Sequence, residues 1–184
     1  VSLEFPRGQF FIFDAGTGIK LLSDRLMEEG RQRLDAKIFI SHPHWDHTGK
    51  IVLIHNGIIE NYSAIKQVLM DKGIEFKSDT DTEVLVQLIS DIYYSKRISF
   101  EQAVQVSLNQ VVGAYGIVTF CSDEPEKLVA ARYGSPLVLG LGENEYFIAS
   151  DASPIVDHTR NVVYLDEGEM VTITKDGHEI RSIA

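Results

Sequence analysis

Basic residues are scarce in this 184-residue chain: 17 Lys and Arg stand against 27 Asp and Glu, a formal charge of −10. A non-specific grip on nucleic acid or an anionic membrane needs a concentrated basic face, so no nucleic acid and no membrane partner is expected, and a small polar metabolite fits better. Cysteine is almost missing. Cys121 is the only one, which excludes an internal disulfide and suits a reducing cytoplasm; in the apolar run GIVTFC it reads as a small buried hydrophobe of a strand. No apolar run approaches the roughly 18 residues of a membrane span, and VSLEFPRGQ has no signal-peptide pattern, so a soluble, unexported protein is expected. Repeats, low-complexity tracts and flexible linkers are also lacking. With 44% apolar and 24% charged residues, the composition is that of one compact domain over residues 1–184.

What is present divides by periodicity. QFFIFDAG, IKLLSDRLMEEG and AKIFIS read as strand, helix and strand, a βαβ-like unit, and KIVLIHNG reads as a further buried strand. NYSAIKQVLMDKG predicts a helix between Asn61 and Gly73, and DTEVLVQLISDIYYSK a second one begun by an acidic cap at Asp81. SFEQAVQVSLNQVV opens with Ser99 and Gln102 in capping-box spacing. From Gly113 onward AYGIVTFCS, KLVAARYG, PLVLGLG, EYFIAS, NVVYLD, EMVTITK and HEIRSI read as strands parted by Gly, Pro, Asp and Asn turns. Helices in one group and strands in another predict an α+β fold, with packed sheets and helices outside.

The stretch SHPHWDHTGK places His42, His44, Asp46 and His47 in an H-x-H-x-D-H pattern after a strand-like run. Alternate residues of an extended segment point the same way, so His42 and His44 can share one cation while Asp46 and His47 reach a neighbouring one. Imidazole and carboxylate suit Zn²⁺, one or two ions, which would generate hydroxide from bound water. The same residues can equally form a solvated loop whose imidazoles bond backbone groups. FIFDAGTGIKLL followed by AKIFISHPHWDHTG, with Asp14 in the DAGTG turn, resembles the N-terminal part of the metallo-β-lactamase fold over residues 9–49. That resemblance implies a two-metal hydrolase, although the later metal-binding His and bridging Asp of that family have no recognisable match.

A longer likeness covers residues 49–184. KIVLIHNGIIENYSAIKQVLMDKGIEFKSDTDTEVLVQLI, then GAYGIVTFCSDEPEKLVAARYGSPLVLGLGENEYFIASDASPIVDHTRNVVYLDEGEMVTIT, resembles the glutaminase domain of the class II glutamine amidotransferases, in the branch that aminates a sugar phosphate. The resemblance implies the N-terminal-nucleophile hydrolase fold, a four-layer αββα sandwich of two packed, mostly antiparallel sheets covered by helices. It implies glutamine as the small-molecule substrate, no cofactor for this part, Asn56 and Gly57 as the oxyanion hole, and His55 and Asp81 as substrate-binding residues. The residue chemistry agrees: an Asn amide and a Gly N–H are suitable oxyanion donors, Gly lets a ligand approach closely, and a carboxylate suits the α-ammonium of glutamine. Without the resemblance, HNG reads as a turn and Asp81 as a helix cap just as well.

In that family the nucleophile is the Cys at the first position of the mature chain, which forms a thioester. Val1 and Ser2 stand first here and Cys121 lies within a strand, so impaired glutaminase activity is expected. The family branch also has a separate sugar-isomerising domain, which has no counterpart in these residues. HPH occurs in both families. The chain therefore reads as an engineered or recombined chimera joined at that word, with residues 1–49 metallo-β-lactamase-like and residues 50–184 amidotransferase-like. The alternatives are a zinc-dependent hydrolase and a non-catalytic folded module.

Overall fold

The long apolar runs of this chain become strands covered on both faces. The computed structural model describes residues 9–13, 35–39, 44–48, 50–143 and 145–184, the first three segments chiefly as backbone. In chain order these are β1 (Gln9–Phe13), β2 (Asp35–Phe39), β3 (His44–Thr48), β4 (Ile51–Ile59), α1 (Tyr62–Asp71), α2 (Asp81–Lys96), α3 (Phe100–Leu108), β5 (Gly113–Cys121), β6 (Lys127–Tyr133), β7 (Val138–Leu141), β8 (Tyr146–Ala149), β9 (Val162–Tyr164), β10 (Glu169–Thr174) and β11 (Gly177–Ser182). One sheet has the order β11-β10-β6-β5-β4-β3, and the other β1-β2-β8-β7-β9. Every pair in the first is antiparallel. In the second, β1–β2 and β2–β8 are parallel and the remaining pairs antiparallel. The expected α+β fold with two mostly antiparallel sheets is what forms.

Period-2 alternation sorts the side chains of the six-stranded sheet between two cores. Ile51 and Leu53 of β4, Ile117 and Cys121 of β5, Val129 and Ala131 of β6 and Met170 of β10 face the helices, meeting Leu85 and Ile89 of α2 and Phe100 and Val104 of α3. Their neighbours Ile54, Val118, Leu128, Ala130, Val171 and Ile173 face the other sheet and pack with Leu139 of β7 and Ile148 of β8. Burial on both sides is why β4 and β5 read as continuous apolar runs rather than as an alternating pattern. The outer strand β11, GHEIRS, is mostly exposed and carries charges, which suits an edge. Helix, sheet and sheet are thus three of the four expected layers. The helix expected at residues 19–30 lies outside the described residues, as does Asp14.

Local chemistry sets the helix ends. α1 closes in a Schellman turn: Gly73, at φ +87, donates its N–H to Met70, and Ile74 donates to Leu69. Asn61 precedes α1 without capping it; its side chain donates to Gln110 O at 2.8 Å and accepts from Val112 N at 2.9 Å, tying the helix start to the approach to β5. The N-cap of α2 is Thr80, whose hydroxyl accepts the Glu83 N–H at 3.2 Å, and not Asp81, which is the first helical residue. The Ser99–Gln102 spacing is realised through the Gln102 side chain, which accepts the Ser99 N–H at 3.4 Å.

The solvated-loop alternative for the H-x-H-x-D-H stretch is not what residues 44–48 form: His44–Thr48 is a strand, paired antiparallel with β4 so that His44 opposes His55 and Thr48 opposes Ile51. Its polar composition hides a strand whose ladder bonds come from the backbone alone. The run KIVLIHNG, expected as a buried strand, joins the six-stranded sheet as β4, and β1 and β2 extend the other sheet beside β8. The parallel β1–β2 pair does fit the expected βαβ unit, since parallel strands need a crossover. Deleting residues 1–40 removes the strand paired to β8 along Ala36–Phe39. The shortened chain is expected to lose its cooperative unfolding transition in urea, whereas an unchanged midpoint would make β1 and β2 an appendage.

Candidate functional site

The site forms where β4 leaves the core. Ile54 and His55 are fully buried, Asn56 and Gly57 are half-buried, and Ile58 is 68% exposed. At Gly57 the backbone takes φ +138, and Gly113, two register positions along β5, takes the same value. A Cβ on Gly57 would sit 2.0 Å from the Ala114 carbonyl oxygen, and one on Gly113 would sit 2.1 Å from that of Ile58. Each strand thus presses a carbonyl into the space a side chain on the other would fill. Only glycine permits this passage at either position.

Beside this crossing lies the N-terminus of α2. The Asp81 carboxylate accepts the Ile59 N–H through Oδ2 at 2.8 Å, which places it two residues from Gly57, in the first turn of a helix whose dipole favours an anion. Beneath it, His55 Nδ1 lies 3.2 Å from the Thr82 hydroxyl and 3.9 Å from Asp81 Oδ1. His55 is wholly buried and touches this polar seam rather than the protein surface.

The loop that delivers Asp81 is clamped by Glu83. Its buried carboxylate accepts the N–H groups of Lys77 and Ser78 at 2.7 and 2.6 Å and the Ser78 hydroxyl at 2.6 Å. Burial alone would push this carboxyl up, but the hydrogen bonds from Ser78 and Lys77 outweigh it and hold it below the ordinary glutamate range. Lys66 adds a bond to Ser78 O at 3.1 Å and an ion pair to Asp79 at 2.9 Å. On the other flank Glu167 accepts the Gly134 N–H and pairs with Arg132, both at 2.6 Å, fixing the turn after β6 beside Ala114. Tyr115, opposite Gly57 in the ladder, is 3% exposed, and burial pushes its phenol up to about 12, so this wall stays neutral.

Asn56, Gly57, His55 and Asp81 therefore come together from two elements. Thr82, Glu83 and Glu167 were not singled out from sequence. The Thr80-x-x-Glu83 spacing, a capping-box pattern, was the available signal for the first turn of α2, though Glu83 spends its carboxylate on the loop instead. Cys121 does not belong to the site. It pairs with Ile51, five register positions from Gly116 opposite Asn56, about 17 Å along the strand. It is fully buried, and that burial pushes its thiol up, away from the thiolate a nucleophile needs.

The side chains of His42, His44, Asp46 and His47 lie outside the described residues. On the backbone, Asp46 opposes Leu53 and His47 opposes Val52 in the β3–β4 ladder. Among the described residues no group of three or more His, Cys, Asp or Glu could hold a metal. The hollows of about 430 Å³ beside Glu124 and about 340 Å³ between α1 and α2 are lined by other residues. Among the described residues, no helix is long and apolar enough to cross a membrane.

The sequence profile described as the glutamine amidotransferase domain matches residues 40–157. The HPH word of residues 42–44 thus falls inside this match, and the metallo-β-lactamase likeness of residues 9–49, with its zinc, finds no support. The glutamine–fructose-6-phosphate aminotransferase [isomerizing] of Chlorobaculum tepidum is 56% identical over 144 residues, 78% of this chain and 24% of that protein. Its namesake from Thermococcus kodakarensis is 46% identical over 143 residues, with the same shares. The chain thus spans about a quarter of the length of these relatives. Among solved structures, the glutamine phosphoribosylpyrophosphate amidotransferase from B. subtilis superposes with a TM-score of 0.64 at 26% identity, over 77% of this chain and 31% of that one. A glutamine aminotransferase class-II domain protein from Silicibacter pomeroyi, at 22% identity and TM-score 0.59 over 77% of this chain and 71% of that one, shares the fold.

Because Glu83 is held below its ordinary range, its contribution to stability is present above about pH 4.5 and is lost as pH falls through the lower folded value. Glu83→Gln is expected to cost about 1–3 kcal/mol at pH 7, since buried donors lose a charged acceptor. The gap to the parent chain in urea unfolding should shrink toward pH 3. Gly57→Ala should be destabilised by more than about 2 kcal/mol at every pH, because the φ and the Ala114 carbonyl both oppose it.

Proposed function

This chain belongs to the glutamine amidotransferase domain family, and we propose that it is the glutamine-recognising part of a glutaminase domain of the glutamine–fructose-6-phosphate aminotransferase type. The observation that carries the reading is the tie from Asp81 Oδ2 to the Ile59 N–H, which sets an anionic anchor beside the Asn56–Gly57 donors. In this reading Asp81 pairs with the α-ammonium of glutamine, a charge-assisted bond. Attack on the side-chain carboxamide turns its carbonyl oxygen into an oxyanion, and the Asn56 amide and Gly57 N–H donate to it. His55, buried under the strand end, supports these groups from below rather than touching substrate. No cofactor takes part.

Cys121 is buried at the far end of β5 and takes no part in this reading. The sugar side of the relatives' name belongs, in this proposal, to the length those proteins have beyond the match. Residues 1–49 as a metal-binding graft, and the engineered or recombined join, carry no weight in it, because the profile opens at residue 40.

Calorimetric titration with L-glutamine tests the reading. Binding is expected in the parent chain, weakened at least about tenfold by Asp81→Asn, which removes the charge facing the ammonium, and unchanged by Cys121→Ser. Any residual ammonia release should fall about 10²–10³-fold in Asn56→Ala. No binding by the parent chain, or hydrolysis that requires added zinc, would overturn it.

A further inference from the structure

We infer that Thr82 is the positioning residue that holds Asp81 in register with the Asn56–Gly57 donors, by linking the carboxylate through a buried hydrogen-bonded chain to His55. The inference rests on the glutamine-binding reading above and adds to it the group that sets the anchor's orientation. Thr82 is 1% exposed and His55 is fully buried. The hydroxyl of Thr82 stands between them, 3.2 Å from His55 Nδ1 and 3.5 Å from Asp81 Oδ1.

The direction of the chain follows from what each group can do. An ionised carboxylate only accepts, so the Thr82 hydroxyl donates to Asp81 and is left to accept from His55, whose ring then carries its proton on Nδ1. A threonine in the body of a helix can turn its hydroxyl back to the carbonyl four residues earlier, an option closed to Thr82, the second residue of α2. Ser107 of α3 takes that option, reaching Ala103 O at 2.7 Å. Thr82 instead points sideways, across the seam between α2 and β4.

The result is a carboxylate held at both oxygens by the same strand. Oδ2 is held by the Ile59 N–H at 2.8 Å, and Oδ1 reaches, through Thr82, the residue directly before Asn56. Rotation about the Asp81 side chain would break one or both ties. An anchor ordered before the ligand arrives does not have to be ordered by it, which is where affinity is gained. Each oxygen of an ionised carboxylate keeps lone-pair capacity for the ammonium beyond these bonds.

The test compares the full 184-residue chain with Thr82→Val, nearly the same shape without the donor, and with Thr82→Ser, which restores it. The probes are L-glutamine and 4-carbamoylbutanoate, the same molecule without its α-amino group, titrated calorimetrically. Thr82→Val is expected to weaken L-glutamine about tenfold and 4-carbamoylbutanoate by less than about twofold, and Thr82→Ser should recover most of the loss. The ¹⁵N resonances of the His55 ring should report an Nδ1 proton in the parent chain and in Thr82→Ser, and a changed tautomer balance in Thr82→Val. Equal affinity of Thr82→Val and the parent for L-glutamine would overturn the inference, as would parallel weakening of both probes, the mark of a merely structural role. If the parent chain binds L-glutamine in no detectable amount, the functional reading itself falls, and this inference with it.

Discussion

The passage of β4 against β5 at Gly57 and Gly113 is the constraint on which the rest of the molecule turns. These two strands are neighbours inside the six-stranded sheet, and their buried side chains supply both the helix-facing and the sheet-facing cores. Fully burying each aliphatic side chain is worth about 1.5–3 kcal/mol, so the register of this pair is fixed along its whole length by packing. Near its end the two backbones come closer than any Cβ would allow. A side chain at either glycine would pry the strands apart and carry Asn56 away from α2.

Everything polar at the site is arranged along one seam, where the first turn of α2 meets the end of β4. Asp81 joins the strand through Ile59 N–H, Thr82 joins it through His55, and Glu83 turns the other way to secure the incoming loop. Three consecutive residues thus do three jobs. The helix geometry explains how: successive positions are about 100° apart, so neighbours in sequence face different partners. The flank at Arg132, Gly134 and Glu167 repeats the device of a carboxylate holding backbone N–H in place. Such satisfied buried networks rigidify a site, and half-satisfied ones would weaken it.

The metal hypothesis shows how a local pattern can mislead. H-x-H-x-D-H matches a ligand spacing, yet the pattern does not say what the segment pairs with. As β3, residues 44–48 are committed to a ladder with β4, and the ladder, which needs only backbone groups, accepts histidine, tryptophan and aspartate without any signal in their order. The glycines tell the opposite story. HNG is as much a turn as a strand end in isolation, and its meaning comes from Gly113, 56 residues away in sequence and two positions along the neighbouring strand.

By itself the sequence determined the kind and nearly the limits of the elements between Ile51 and the end of the chain, because a strand buried on both faces must be apolar throughout and an amphipathic helix must repeat every three to four residues. It also determined the family likeness of HNG and DTDTEV, and hence Asn56, Gly57 and Asp81 as candidates. Tertiary structure alone decided which sheet β4 joins, that Thr80 rather than Asp81 caps α2, that Cys121 lies at the far end of β5 from Gly116, and that His55 is buried beside Thr82. Each of these is a relation between residues distant in the chain, set by strand register and by which buried polar groups can satisfy one another, and neither quantity has a period or a composition from which it can be read.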